Sequence, residues 1–247
     1  MAQAEHYDSI INDYERHYFD PAAMEYRRRY IYGPLFDGID LNGKSVAELA
    51  CGSGQNTKEV RSLFPHADIV GLDISPNACA AYRNNSGCDA HVVDLTDLSA
   101  SLPSPSDAAF VIGGLHHCVN NLQAAIENIS RLVKPGGVLL MVEPNADFFL
   151  NAVRDFWYKK DKWFSENEEA PLHHDAIAKM AGPFFEPEKV AYLGGPAYFI
   201  VLNSLITRVP IGIKQRIAAP LFQLDDLYNR LPGRAPFPMF IARWRRR

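Results

Sequence analysis

The sequence predicts an α/β fold, a mostly parallel sheet with helices on both faces. Three observations carry that expectation. Between residues 44 and 145, five short apolar segments alternate with segments of helical spacing, the mark of repeated strand–helix units. Segments such as "VLLMV" and "AFVIGG" are continuously apolar, as strands buried on both sides must be. The first of them runs into a glycine turn, "CGSG" at Cys51 to Gly54, which opens the next helix.

Taken in order, residues 7 to about 38 read as one or two amphipathic helices, broken near Asp20–Pro21. "KSVAELA" is the first strand and "NTKEVRSLF" a helix. "ADIVGLDI" is the second strand, followed by "SPNACAAYRNN", a helix with a serine cap and proline at its first position. "DAHVVDL" and "DAAFVIGG" are strands, "NLQAAIENISRLV" a surface helix, "KPGG" a turn and "VLLMVEP" a buried strand. After Asn145 the pattern changes. "DFFLNAVRDFWYKKDKWF" is aromatic and amphipathic, "PLHHDAIAKMAG" is a short helix, and "FEPEKVAYLGG" reads as a sixth strand. Residues 197 to 230 read as helical, interrupted at Pro210 and Pro220, and "FPMFIARWR" as the last strand. The expected organisation is a helical cap over 1–40, a ligand-binding core over 41–145, covering elements over 146–235, and a last strand with a basic tail over 236–247.

The chain has 247 residues, 47% hydrophobic and 22% charged, with a net charge of −4. That composition suits one large folded unit and argues against disorder. No broad basic field points to nucleic acid. The basic clusters are local, at Arg27 to Arg29 and in "RWRRR" at Arg243 to Arg247. The four cysteines form no CxxC pair, so no metal site is expected from them. The polar, aromatic start resembles no signal peptide, and no apolar run is long enough to span a bilayer, so a reducing cytoplasm is the expected compartment.

Ligands of open parallel sheets sit at the carboxyl ends of the strands. Gly52 and Gly54 fill the first two positions of a dinucleotide fingerprint, but Thr57 stands at the third. Glu48 ends the first strand, Asp73 the second and Asp94 the third. A carboxylate at Glu48 would repel a pyrophosphate and favour a cation. Asp73 suits paired ribose hydroxyls, with Ile74 beside it; Asp94 suits an adenine amino group, with Leu95 offering its backbone N–H. Three acids at successive strand ends therefore point to S-adenosylmethionine, which carries a sulfonium and no phosphate.

"VAELACGSG", "VGLDIS", "HVVDL", "FVIGGLHH" and "LVKPGGVLLMVEP" together resemble the successive motifs of class I S-adenosylmethionine-dependent methyltransferases of the methyltransferase-11/UbiE-like kind, over roughly residues 44 to 145. The resemblance implies a Rossmann-like sheet of seven strands with the last antiparallel, and functional positions at Glu48, Gly52, Gly54, Asp73 and Asp94. Ala50 departs from the pattern, which has glycine there; its methyl group would narrow the approach to the methionine moiety. Gly113, closing the fourth strand, and Arg28, as a partner for the methionine carboxylate, complete the expected cofactor set.

Methyl transfer needs mainly proximity, alignment and a dry site, with a base only for an acceptor that must lose a proton. His116 and His117, just past the fourth strand, are the candidate bases, with His117 ahead; packing and loop geometry are the plainer explanation for both. For the acceptor, the candidates are Glu143 and Asn145 after the fifth strand, Tyr14 and Tyr18 on one helical face, Trp157, and His173. Each has an ordinary alternative as a cap, a packing residue or an exposed side chain.

The cover is apolar, which leaves two readings of the acceptor. One is a small metabolite under a packed cap, methylated at oxygen. The other is a lipid-linked or membrane-held acceptor, with "RWRRR" meeting anionic head groups at the membrane periphery. A methyltransferase-like fold that binds the cofactor without transferring methyl is a third. Protein and nucleic-acid substrates are disfavoured because "IGGLHH" stands where an NPPY-like motif would. The oligomeric state is not legible.

Overall fold

The structure, a computed structural model, describes residues 16–151 and 169–247. Its centre is a seven-stranded sheet: β1 (Ser45–Leu49), β2 (Asp68–Asp73), β3 (Ala90–Val92), β4 (Ser106–Ile112), β5 (Val133–Pro144), β6 (Phe185–Leu193) and β7 (Met239–Arg246). The strand order is β3-β2-β1-β4-β5-β7-β6. All pairs from β3 to β5 are parallel, and β7 runs antiparallel to both β5 and β6. The order reverses at β1, between β2 and β4. That switch point leaves a crevice at the carboxyl ends of these strands.

Both faces of the central strands β1, β4 and β5 are buried, which is why these read as nearly unbroken apolar runs. On one face Val46, Ile69, Phe110, Leu140 and Ile241 pack against α1 (Pro21–Arg27), a π-helical turn (Arg28–Tyr32), α2 (Gly33–Phe36) and α7 (Ile211–Tyr228). On the other, Leu49, Ala109, Met141, Phe240 and Trp244 pack against α5 (Leu122–Leu132) and α6 (His174–Ala181). The remaining helices, α3 (Gln55–Leu63) and α4 (Pro76–Ser86), follow β1 and β2. Asp20 caps α1 with Pro21 at its first position, so the expected break there is the start of a helix. Ser75 caps α4 by accepting the Ala78 N–H at 3.1 Å.

Two expectations need correction, and a third is extended. "KPGG" belongs to β5, whose pairing with β4 shifts register between Ser106 and Ala108; Gly136 there has φ +77°, and a Cβ on Gly137 would fall 2.7 Å from the Asp107 carbonyl. Pro220 does not interrupt α7, because it lies on the exposed side, where the carbonyl it frees can reach water. The last strand, expected over "FPMFIARWR", runs from Met239 to Arg246 and takes in three of the tail's arginines. Trp244 is fully buried, Arg245 pairs with Glu188 at 2.7 Å, Arg246 donates to the Ser130 and Phe184 carbonyls, and Arg243 to the Asp37 carbonyl. Among the described residues no helix is long and apolar enough to cross a membrane.

Candidate functional site

A cleft of about 450 Å³ opens at the carboxyl ends of β1, β2, β4 and β5. Its floor is the glycine turn. β1 ends at Leu49, Gly52 and Gly54 take φ of +52° and +82°, and α3 starts at Gln55. Asp73, at the end of β2, braces the turn: Oδ2 accepts the Gly52 N–H at 2.9 Å and Oδ1 the Ser75 N–H at 2.9 Å. Asp94 accepts from the Thr96 N–H and hydroxyl at 2.8 and 2.6 Å. Ala50, Gly52, Asp73, Ile74, Asp94, Leu95 and Gly113 all line the cleft, as do Tyr18, His116 and His117.

Ala50 is left-handed, with φ +50°, although it carries a Cβ. Gly114 makes room for it: a Cβ on Gly114 would fall 2.5 Å from that of Ala50. The left-handed backbone costs an alanine roughly 1–2 kcal/mol, partly offset by the roughly 0.4–1 kcal/mol that glycine loses through its freer unfolded chain. Ala50→Gly is therefore expected to raise the melting temperature slightly, and Gly114→Ala to lower it. Thermal melts in the reverse order would refute this account of the turn.

Several expected residues sit elsewhere. Glu48 is 1% exposed and lies beneath the turn, where it accepts from Asn56 Nδ2 at 3.1 Å and from the Thr57 hydroxyl. Burial pushes its carboxyl up to about 8, against the opposing effect of those two hydrogen bonds, and the side chain does not line the cleft. Thr57 thus stands at the third fingerprint position because its hydroxyl serves this buried acid. Gly54 does not line the cleft either; a Cβ there would meet the Tyr82 ring at 3.0 Å. Arg28 points outward, half exposed, and pairs with Glu59 at 2.6 Å. Arg27, 100° away around the helix, is the one that turns inward. It donates to the Tyr18 carbonyl at 3.1 Å and to Asn56 Oδ1 at 3.2 Å, with its guanidinium 4.4 Å over the Phe19 ring.

On the acceptor side, Glu143 lines the cleft but its carboxylate is fully committed. It accepts the backbone N–H groups of Gly114, Leu115 and His116 at 3.1, 2.7 and 3.3 Å, and His116 Nδ1 lies 2.8 Å away. His116 is thereby a fixture of the turn Leu115–His117, and burial holds its imidazole below the ordinary histidine value. Asn145 is buried away from the cleft and donates to the Arg234 and Phe237 carbonyls at 2.9 and 2.8 Å. His173 is exposed and pairs with Asp147 at 2.9 Å. Tyr14 and Trp157 lie outside the described residues.

His117 remains. Its ring lies against that of His116, centroids 4.1 Å apart and planes tilted by 38°, and Nδ1 lies 3.4 Å from Glu169 Oε1 without a hydrogen bond between them. Burial works against charge on this imidazole, yet the carboxylates of Glu169, Glu143 and Asp73 together outweigh it and the pKa is raised. The ligating atoms of His116, His117 and Glu169 lie within 4.8 Å of one another. This is a grouping compact enough to hold a metal ion, and equally one in which an acid lies against a histidine pair. Glu169, Arg27, Phe19, Tyr198 and Asn203 all line the cleft without having been singled out in the sequence.

An S-adenosyl group fits this cleft. The turn brings backbone close to the ligand, and the acids beside it, Asp73 and Asp94, suit hydroxyl and amino donors and oppose a phosphate. Residues 47–139 match the family model described as a methyltransferase domain. Ribosomal protein L11 methyltransferase of Haemophilus influenzae is 37% identical over 103 residues, 42% of this chain and 34% of that protein. The ubiquinone/menaquinone biosynthesis C-methyltransferase UbiE of Syntrophotalea carbinolica is 30% identical over 102 residues, 40% of this chain and 43% of that one. The chain thus spans between a third and about two fifths of these relatives' lengths. The fold extends further than the sequence likeness. The N-methyltransferase NodS of Bradyrhizobium japonicum, solved with S-adenosylhomocysteine, superimposes with a TM-score of 0.59 at 15% identity, covering 98% of each chain.

Proposed function

We propose that this chain, which carries a class I S-adenosylmethionine-dependent methyltransferase domain, transfers a methyl group to a hydroxyl of a small, largely apolar acceptor. The observation that carries this reading is the His117–Glu169 pair, lining the same cleft as the glycine turn and Asp73. S-adenosylmethionine, when bound, supplies a methyl group already activated by its sulfonium. The chain's own residues do the rest. Gly52, Asp73, Asp94 and Leu95 hold the nucleoside part, and Arg27 is the inward cation for a carboxylate. Leu202, Leu205, Ile206 and Met239 line the remainder of the cleft and keep water from the reacting centre. Glu169 lies 3.4 Å from His117 Nδ1 without a hydrogen bond between them; once the two align on closure around substrate, Nε2 carries the lone pair and takes the hydroxyl proton as the acceptor oxygen attacks the methyl carbon.

The first test is calorimetry. The protein is expected to bind S-adenosylhomocysteine and to show no measurable affinity for NAD; comparable affinity for both would overturn the cofactor assignment. Methyl transfer to apolar alcohols and phenols, set against matched amines, then tests the acceptor atom. A preference for the amines would displace the oxygen reading. The apolar lining also suits the hydrocarbon part of a lipid-linked acceptor, although the arginines at the carboxyl end, being bound into β7, give that reading no support.

A further inference from the structure

Lys214, on α7, is completely buried. An ammonium in that position is costly unless it is paired and fully hydrogen-bonded, and here it is both. It forms an ion pair with Asp20, and Nζ donates to the His17 carbonyl at 2.6 Å, the Ser204 hydroxyl at 2.9 Å and the Val201 carbonyl at 3.2 Å. Nδ1 of His17 lies 3.1 Å from the same Ser204 hydroxyl. Asp20 also caps α1, accepting the Ala22 N–H at 3.0 Å. His17 and Lys214 are 197 positions apart in the chain.

The partners of this lysine interleave with the lining of the cleft. In the first segment, His17 and Asp20 bind Lys214, while Tyr18 and Phe19 between them face the cleft. In the second, Val201 and Ser204 bind Lys214, while Leu202 and Asn203 between them face the cleft. The two lining sets meet directly, the Tyr18 hydroxyl donating to Asn203 Oδ1 at 2.8 Å. The Tyr18 carbonyl is in turn held by Arg27.

From this arrangement we infer that Lys214 is a positioning residue: it clasps the segment 17–20 to the segment 201–204 and so fixes the roof of the cleft over a bound nucleoside. The inference rests on the cofactor reading above. Without the ammonium, the buried Asp20 carboxylate must rehydrate. The segment that moves to let it do so carries Tyr18 and Phe19 away from the cleft and releases the backbone contact of Arg27. The clasp acts on how long the cofactor stays, not on the proton transfer.

The experiment measures release of S-adenosylhomocysteine by stopped flow, together with melting temperature, for the wild type, Lys214→Met and the double variant Asp20→Asn/Lys214→Met. Lys214→Met is expected to speed release by about tenfold, since changes at a binding surface act mainly on dissociation. The double variant removes the stranded charge while asparagine keeps the helix cap. It is expected to regain the wild-type melting temperature and still release quickly. It also serves where the single variant does not fold. Release within about twofold of the wild type in a folded variant would show that the lysine serves stability alone. A wild type that binds no S-adenosylhomocysteine would overturn the cofactor reading instead, and this proposal with it.

Discussion

Replacing Asp73 with alanine is expected to weaken S-adenosylhomocysteine binding by about 1.5–3 kcal/mol, the range for hydrogen bonds to a charged group, or roughly 10- to 150-fold in Kd. The carboxylate stands at the end of β2, beside the point where the strand order reverses, and lines the cleft. Two consequences follow from its removal. The ligand's hydroxyls lose a charged acceptor, and the N–H groups of Gly52 and Ser75 lose the acceptor that holds the turn against the start of α4. The second effect loosens the free protein as well, so melting temperature and affinity should fall together. Asp73→Asn separates them. Its one carbonyl oxygen can keep one of the two N–H groups, while the charge on the ligand side is gone. An intermediate melting temperature with affinity still reduced is the expected result. Calorimetric affinity unchanged in Asp73→Ala would show that the acid at the end of β2 braces the turn and does not bind the ligand.

What the sequence made legible divides along physical lines. Strands β1, β4 and β5 could be read because burial on both faces leaves a continuous apolar signal, and Asp73 and Asp94 because polar groups at strand ends stand out. Placements differ from those expected where rotation or distance decides. Arg27 and Arg28 are adjacent, so a run of three arginines does not say which one faces inward. Glu48 was visible as an acid, but not as one buried under the turn, because that depends on Asn56 and Thr57 on the far side of the glycines. Asn145 and His173 lie near the cleft in sequence, yet their partners, the Arg234 and Phe237 carbonyls and Asp147, hold them elsewhere. The arginines around Trp244 read as a patch for anionic head groups because charge dominates a local window. Alternation along β7 buries Trp244, and the arginines find acceptors on neighbouring elements. Glu169 gave no local signal at all, since its significance comes from His117, which the fold brings beside it.

The largest kinetic effect is expected at His117. If its Nε2 removes the acceptor proton, His117→Ala should lower turnover by about 10²–10⁴-fold while S-adenosylhomocysteine affinity stays near that of the wild type. The neighbouring histidine supplies the contrast. His116 is bound through Nδ1 to Glu143, which still accepts three backbone N–H groups when the imidazole is gone. His116→Ala should therefore cost stability more than turnover. The pH dependence gives a second, independent reading. A base works unprotonated, and Glu169 raises the His117 pKa above the ordinary histidine value, so turnover should climb with pH through an apparent pKa above that value. Glu169→Gln removes the carboxylate charge, which leaves burial as the dominant influence and shifts the rise to lower pH. It also removes the acid that, in the proposed mechanism, takes up Nδ1, so the plateau should fall even where the imidazole is neutral. The sign of the two shifts matters more than their size: the midpoint moves down in pH and the plateau moves down in rate. A profile that keeps its midpoint in Glu169→Gln, or a His117→Ala variant that loses cofactor affinity and keeps its turnover, would place this histidine in the architecture of the turn and leave the acceptor to be deprotonated by solvent.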